Sequence, residues 1–229
     1  MKEKMSWVLG VLLLLGGGIR PAFSLDRAAD RQGISQGRSG RSAAGLDRAL
    51  VRKDWTQDFS LTQSSSSRLD AVKAVFQGKH PRAAKSLRAA FLQEPRASIR
   101  VWMIRAENHI SPGHLKFLSA ALKDPSVFVR EAAVVALGES KKPQSAQILA
   151  ALLPSEPDSG ARMTICFWLG QLGGSQAVAA LSQVLSADKD PNVRLQATQS
   201  LKNIGTGSAL SALRQAAKDP NARVREAAR

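Results

Sequence analysis

Apolar residues recur in two interleaved helical registers from residue 68 onward. The first register is a run of alanine and branched aliphatic residues that follows an arginine, as in residues 129–138. The second is a leucine that returns every 31 or 32 residues, at Leu87, Leu118, Leu149, Leu181 and Leu213. Apolar neighbours of Leu181 lie on one helical face. Two helices in each unit of about thirty residues predict a helical repeat array.

Helix start and stop signals occur at matching places in the units. An acidic residue followed by proline precedes the first helix at Glu94-Pro95, Asp124-Pro125, Glu156-Pro157, Asp190-Pro191 and Asp219-Pro220. Such a carboxylate is expected to cap free amides while proline takes the first helical position, and each aspartate cap stabilises by about 1 kcal/mol. Left-handed helix caps between the two helices are expected at Gly138, Gly170, Gly173 and Gly205.

Six arginines stand 30 to 32 residues apart: Arg68, Arg100, Arg130, Arg162, Arg194 and Arg225. Because each stands beside a recurring carboxylate, the pattern predicts that the guanidinium groups bond to carboxylates and carbonyls of neighbouring units and set the stacking. A row of ligand-binding arginines is the alternative interpretation.

Composition favours an all-α fold. Aromatic residues make up 5% of the 229-residue chain and tyrosine is absent, whereas 44% of the residues are apolar. The core is therefore aliphatic and rich in alanine, which suits closely packed helices better than a β-sandwich. The single cysteine, Cys166, lies in an apolar run and is predicted to be a core residue.

The N-terminal part divides into two predicted segments. Residues 1–24 resemble a signal peptide, with Lys2 and Lys4 before an apolar run and small residues before a cleavage site near Ser24. The protein is then expected to be periplasmic or secreted, and to meet the membrane only through this peptide. Residues 25–67 are predicted to be a flexible linker with one candidate helix over 43–55. Trp55, Phe59 and Leu61 are candidates to cover the first repeat.

Residues 68–229 resemble the HEAT repeat family, in particular its short variety named for phycobilin lyases. The family pattern of Asp-Pro, Val-Arg and an alanine-rich helix is matched best by residues 124–138 and 190–205. The resemblance implies an α-solenoid of five helix pairs and a terminal half-unit, with the second helices lining a concave face. Glu107 and Asn108 depart from the pattern, where leucine and glycine are usual, so that helix is expected to shift register or end early.

Positive charge is concentrated in the array. The net charge is +15, and residues 68–229 hold 23 basic and 12 acidic residues. On the second helices the charge collects at both ends and leaves a neutral middle. The candidate partner-binding residues there are Lys85, Arg88, Lys116, Lys123, Arg214 and Lys218. This distribution favours a protein or peptide partner, with the basic ends steering acidic partners, over nucleic acid. A polyanion or envelope-surface binder and a merely solvated face remain open.

Met163 and Phe167 form a second candidate surface. They are four residues apart, hence on one helical face, at positions that hold small or polar residues in other units. They are interpreted either as an exposed apolar patch for the partner or as residues that local packing buries.

Catalytic signals are sparse. Glutamate follows none of the three histidines, His80, His109 and His114, so the paired His-Glu ligands implied by a resemblance to HEAT-like deoxyhypusine hydroxylases are absent. No catalytic, metal or cofactor residue is predicted, and the chain is expected not to be an enzyme. The predicted function is an exported, non-catalytic protein-interaction scaffold. An accessory or lyase-type enzyme is a second alternative, although chromophore attachment to cytoplasmic proteins conflicts with an export signal.

Overall fold

The computed structural model describes residues 55–78 and 80–229, and its regular structure there is entirely helical. The α-helices of this part are α1 Ser65–Gly78, α2 Ala83–Phe91, α3 Ala97–Ile110, α4 Leu115–Ala121, α5 Val127–Glu139, α6 Pro143–Leu152, α7 Ser159–Leu172, α8 Ser175–Ala187, α9 Pro191–Ile204, α10 Gly207–Ala216 and α11 Ala222–Ala227. A 3-10 turn, Leu153–Ser155, follows α6. None of these helices has the length and apolar character that crossing a membrane requires. The predicted signal peptide, residues 25–54 of the predicted linker and all but the last residue of the candidate helix lie outside the described residues.

The helices stack as repeated pairs. The first helices of the pairs pack one on the next in the order α1, α3, α5, α7, α9 and α11, and α2, α4, α6 and α8 each pack against the first helix of the following pair. The second helices α6, α8 and α10 also stack on one another. Five pairs followed by the single helix α11 therefore form an α-solenoid, and the predicted fold class is confirmed.

The repeated leucines of the second helices form one continuous row in the core. Leu87, Leu118, Leu149, Leu181 and Leu213 are all at most 6% exposed. Full burial of a leucine side chain stabilises by about 1.5–3 kcal/mol. The row thus supplies a similar apolar contact in every pair, which makes the stacking regular.

The predicted helix caps are correct in only one unit. Asp190 caps α9 by accepting from the amide of Asn192, and Pro191 takes the first helical position. In the other four units the prediction was wrong, because the capping position lies two residues after the carboxylate, at Arg96, Ser126, Asp158 and Asn221. There the carboxylate accepts from the amide of that residue and also binds an arginine of the preceding repeat.

Two of the four glycines lie inside helices rather than between them. Gly205 ends α9 in the left-handed conformation, as expected, whereas Gly138 and Gly170 belong to α5 and α7. A Cβ atom at Gly138 would lie 2.0 Å from a ring carbon of Trp168 on α7. Glycine is therefore needed at this position for close helix contact, and not for a turn.

The helix with the irregular sequence, α3, keeps its register. It continues to Ile110, and Glu107 is fully buried at the position that leucine takes in α5 and α7. Asn108 donates to Glu139 Oε2 (3.0 Å) and accepts from the amide of Gly113 (3.1 Å). The expectation of a shifted or shortened helix was wrong because these polar contacts hold the end of α3 in place.

The residues before α1 cover the first repeat. Trp55 and Phe59 are both buried, with ring centroids 6.1 Å apart, and Trp55 also lies 5.1 Å from the ring of His80. Leu61 is exposed and takes no part. Two aromatic side chains thus close the N-terminal end of the described array.

Candidate functional site

Five of the periodic arginines connect consecutive repeats. In each case the Nε and Nη2 atoms of the arginine donate to the two oxygens of one carboxylate, at 2.7–3.1 Å. The five pairs are Arg68–Glu94, Arg100–Asp124, Arg130–Glu156, Arg162–Asp188 and Arg194–Asp219. The Nη1 atom of each donates to one or two backbone carbonyls that precede its own helix. We call this row of paired side chains the arginine ladder. Each rung joins one first helix to the loop before the next.

The ladder is an electrostatically satisfied structure. Its ten paired side chains are at most 12% exposed. The hydrogen bond from Arg194 lowers the pKa of Asp219 and outweighs the burial that opposes it. Burial by itself would raise the pKa of Glu94 and of Asp188. Hydrogen bonds from their arginine partners and from a backbone amide outweigh burial, so both pKa values lie below the ordinary value. The carboxyl groups of Glu94, Asp188 and Asp219 are therefore ionised at neutral pH and bound to their arginines. That the arginines stabilise the stacking stays a prediction, which measurements of stability can test.

The sixth periodic arginine forms only half a rung. Arg225 Nη1 donates to the carbonyls of Asp219 and Pro220 at 2.7 and 2.8 Å, as in the other rungs. No carboxylate of the described residues pairs with its Nε and Nη2 edge. The guanidinium is consequently oriented by its own repeat, and among the described residues it has no acidic partner.

Five of the six basic candidates on the second helices carry exposed charges. Lys85 lies on α2, Lys116 on α4 and Arg214 on α10, while Lys123 and Lys218 follow α4 and α10. Within the described part of the chain none of the five forms an ion pair. Helices α6 and α8 separate the two groups along the stack and present neutral residues such as Gln147 and Ala179.

Arg88 differs from the other five because an internal partner binds it. Its Nη1 donates to Glu107 Oε1, and 29% of its side chain is exposed. Glu107 Oε2 is buried and has no hydrogen-bond partner. The predicted partner-binding arginine is thus used largely to neutralise a carboxylate that replaces a core leucine.

Met163 and Phe167 are partly buried. Met163 packs against the core, and the ring of Phe167 meets that of Trp168 nearly edge-on, with centroids 5.3 Å apart. The exposed large apolar side chains of the described residues are instead Leu61, Leu92, Phe128 and Leu210. Local packing thus covers part of each side chain, and a role of Met163 and Phe167 in partner binding stays a prediction.

A cluster of aromatic and basic side chains on α1 and α3 was not anticipated. Lys73 Nζ and the guanidinium carbon of Arg105 lie 5.7 and 5.4 Å from the ring centre of Trp102. Phe76 approaches the same ring edge-on at 5.8 Å. Trp102 occupies a position that is Ala132 and Thr164 in later repeats, and this departure is the signal that could have indicated the cluster.

The histidines and the cysteine, which could in principle bind a metal or act as a nucleophile, are engaged in capping, ring packing or the core. No three histidine, cysteine, aspartate or glutamate side chains of residues 55–78 and 80–229 are placed to hold a metal ion. His114 Nδ1 accepts from the amide of Phe117 at the start of α4, and His109 lies 5.0 Å from the ring of Phe76. Cys166 is fully buried in α7, and burial raises the pKa of its thiol.

Comparison with known proteins identifies the family. The model of the family described as HEAT repeats matches residues 84–165 and 155–229, which is more than half of the chain. This protein belongs to the HEAT repeat family. The HEAT-repeat array of α1 to α11 is therefore a helical repeat scaffold. No curated protein matches the chain.

Solved structures similar in fold include human deoxyhypusine hydroxylase in complex with glycerol. It is 23% identical, the match covers 82% of this chain and 72% of that chain, and the TM-score is 0.47. This finding contradicts the expectation that the chain is not an enzyme, because a similar helical chain is one. A repeat fold carries its chemistry on surface side chains, so the absence of one motif did not justify that exclusion. The likeness is one of fold and does not assign that activity to this chain.

Proposed function

We propose that this HEAT-repeat scaffold binds a protein or peptide partner through the face formed by its second helices. The observation that supports the proposal is the contrast between two sets of basic side chains. The ladder arginines are bound to carboxylates, whereas Lys85, Lys116, Lys123, Arg214 and Lys218 are exposed and have no ionic partner in the described part. An unpaired surface charge keeps its full attraction for a partner.

The middle of this face is suited to close contact. The exposed positions of α6 and α8 carry small or uncharged side chains, including Gln147, Ala151, Ala179 and Gln183. Such residues bring little desolvation cost and admit the backbone of a partner. The basic ends then increase the rate of encounter with an acidic partner, and the neutral middle provides the contact area that the partner buries. Because the helices are already packed, little ordering is needed on binding.

The same face is less suited to nucleic acid. A groove for single strands combines basic residues along its whole length with aromatic rings on which bases stack. Here the charges lie at the two ends, and Phe128, on a first helix, is the exposed large aromatic residue of the described part. Trp102 is partly buried and lies against Lys73 and Arg105. A protein or peptide is therefore the favoured partner.

We further propose that the partner lies outside the cytoplasm. The proposal depends on the charged and apolar segments of residues 1–24, which are typical of a cleaved signal peptide. N-terminal sequencing of the protein recovered from the extracytoplasmic fraction is the test. A mature chain that begins near residue 25 is expected, and an intact Met1 in the cytoplasmic fraction contradicts the proposal.

The binding proposal is tested by comparing two triple variants of equal charge. In the first, Lys85→Gln, Lys116→Gln and Lys123→Gln neutralise one end of the face. In the second, Arg96→Gln, Lys189→Gln and Arg223→Gln neutralise exposed residues that do not belong to the second helices. Affinity capture from the extracytoplasmic fraction provides the partner, whose affinity is then measured by calorimetry.

The expected result is a loss of about tenfold in affinity for the first variant and less than about twofold for the second at low ionic strength. Equal losses contradict the proposal, because binding then follows net charge alone. A steep decrease in affinity as salt increases from 50 to 200 mM, as is seen when about six or more phosphates are contacted, instead supports a polyanion as the ligand.

A further inference from the structure

Arg88 uses only one nitrogen of its guanidinium for a contact within the described part of the chain. Its Nη1 atom, on α2, donates to Glu107 Oε1 on α3. Its Nε and Nη2 atoms donate to no described residue, and they are not among the buried polar atoms that lack a partner, so both reach solvent. A guanidinium that an internal carboxylate holds in place therefore presents two further donors at the surface.

The edge formed by these two donors is the edge that binds carboxylates elsewhere in this chain. In every complete rung of the arginine ladder, Nε and Nη2 donate to the two oxygens of one aspartate or glutamate. This planar, paired geometry suits a carboxylate. No acidic residue lies on α2 or α4, and Glu94 and Asp124, which follow these helices, are bound in rungs. The described part of the chain thus provides no carboxylate for this edge of Arg88.

Stability alone does not account for the pair of Arg88 and Glu107. Glu107 takes a position that leucine holds in the next three first helices, and Arg88 takes one that serine or alanine holds in the next three second helices. Apolar residues in place of a buried ion pair are often neutral or stabilising. Glu107 Oε2 is also buried without a hydrogen-bond partner, which is unfavourable. Orienting the guanidinium of Arg88 is an effect that leucine at position 107 could not provide.

The surroundings of Arg88 on the second helices are basic. Lys85 precedes it by three residues, hence on the same side of α2, and is exposed without an ionic partner in the described part. Helix α2 contacts α4 where the rings of Phe91 and Phe117 meet edge-on, with centroids 4.9 Å apart. The exposed Lys116 stands next to Phe117. A ligand with several negative charges is therefore attracted to this part of the face.

We propose that Arg88 is a carboxylate receptor on the face formed by the second helices. Its Nε and Nη2 atoms bind the side chain of an aspartate or glutamate in an acidic peptide segment, and Glu107 is the residue that positions them. Lys85 and Lys116 attract further acidic residues of the same segment. The proposal rests on the binding function proposed above, and it adds the recognising residue and the chemistry of the side chain that is recognised.

The test measures binding of a fluorescein-labelled peptide of six glutamates to the full chain by fluorescence anisotropy at low salt. Saturable binding is expected. Arg88→Lys keeps the charge and can still pair with Glu107 but has no second edge, so it should weaken binding at least about tenfold. Arg96→Lys is the same exchange at an exposed arginine outside the second helices and should change binding less than about twofold.

A second variant keeps the test independent of folding. Arg88→Met combined with Glu107→Leu removes one positive and one negative charge, so the net charge is unchanged, and it restores the leucine of the repeat. Circular dichroism should show a folded chain, and the peptide should again bind at least about tenfold more weakly. Unchanged binding by this folded variant contradicts a role of Arg88 in recognition.

Nuclear magnetic resonance of the ¹⁵N-labelled chain observes the contact directly. The Nε–H signal of Arg88, assigned by its loss in Arg88→Lys, should shift as the peptide is added, because Nε gains an acceptor. An Arg88 that only neutralises Glu107 keeps its Nε–H signal in place, since that contact is made by Nη1.

Three results overturn the proposal. They are no peptide binding at millimolar concentration, binding that Arg88→Lys does not weaken, and polyphosphate of equal charge that binds more tightly and displaces the peptide. In the third case the ligand is a polyanion and not an acidic peptide. The comparison of Lys85, Lys116 and Lys123 variants uses the captured partner and leaves Arg88 unchanged, so each of the two proposals can fail while the other stands.

Discussion

The two ends of the described array are built from the same repeat but differ in what covers them. At the N-terminal end Trp55 and Phe59 are buried, and Arg68 forms a complete rung with Glu94 and the carbonyl of Gln63. At the C-terminal end Leu210 is exposed and Arg225 lacks a described carboxylate. A helix pair buries its faces only against a neighbour, so each end is closed or open according to the segment beside it.

The comparison shows that the recurring arginine has two different states. In a complete rung the guanidinium and the carboxylate satisfy each other away from water, and each needs the other there. In the half rung the guanidinium keeps its backbone contacts and its remaining donors stay available. Identical sequence signals thus produce a complete contact inside the array and a half-formed one at Arg225, within the described residues.

The largest expected effect comes from breaking a complete rung. Arg194→Met leaves Asp219 buried without its partner and should destabilise the array by about 3–5 kcal/mol, and Arg162→Met should act similarly. Arg225→Met, the matched change in the half rung, should cost less than about 1 kcal/mol. Urea unfolding followed by circular dichroism measures both, with hydrogen exchange to locate partial unfolding. Equal losses for Arg194→Met and Arg225→Met contradict the distinction between complete and half rungs.

The next effect concerns the apolar covers. Trp55→Ala should destabilise the first repeat by about 3 kcal/mol, because a buried ring is removed from the core. Leu210→Ala should change stability by at most about 0.5 kcal/mol, since its side chain is already largely in water. Thermal unfolding of the two variants measures the difference. A large loss for Leu210→Ala would show that the C-terminal end is closed in solution.

A smaller loss of stability is expected when the buried ion pair of α3, Arg88–Glu107, is broken than when a rung is broken. Arg88→Met leaves Glu107 unpaired and should destabilise by about 2 kcal/mol, less than a rung because Arg88 is partly exposed. Glu107→Leu restores the repeated leucine and should be neutral or stabilise by about 1 kcal/mol. Denaturant unfolding provides both values. Strong destabilisation by Glu107→Leu would indicate that the ion pair is needed for packing.

The smallest effect for each rung is its response to acid. The pKa values of Glu94, Asp188 and Asp219 are lower in the folded protein than in the unfolded chain. The stability that these carboxylates contribute is therefore fully present above their unfolded pKa values of about 4. It is lost as the pH decreases through their folded pKa values. Stability measured between pH 6 and pH 2 should therefore decrease. Asp219→Asn should reduce the slope of that decrease, whereas Arg225→Met, which removes only the last and smallest of the causes that lower the pKa of Asp219, should reduce it much less.

The sequence by itself determined the repeat and its periodic contacts. Leucines every 31 or 32 residues predict the buried row of the second helices, and the arginine spacing predicts contacts between neighbouring repeats. Both predictions concern residues that meet equivalent residues in the next repeat. Because each repeat lies beside another repeat of similar sequence, the same local sequence has the same surroundings each time. The spacing of the leucines and arginines is therefore enough to predict what they contact.

Only the tertiary structure decided which side chains stay free. Arg88 and Lys85 are similar basic residues on one helix, but Glu107 of the following helix binds Arg88 and leaves Lys85 exposed. Met163 is partly buried against the core, and Leu210 is exposed although Ala146 and Val178 at the same position of α6 and α8 are buried. Whether a side chain is paired or covered depends on residues that are distant in sequence, and the spacing within one repeat contains no information about them.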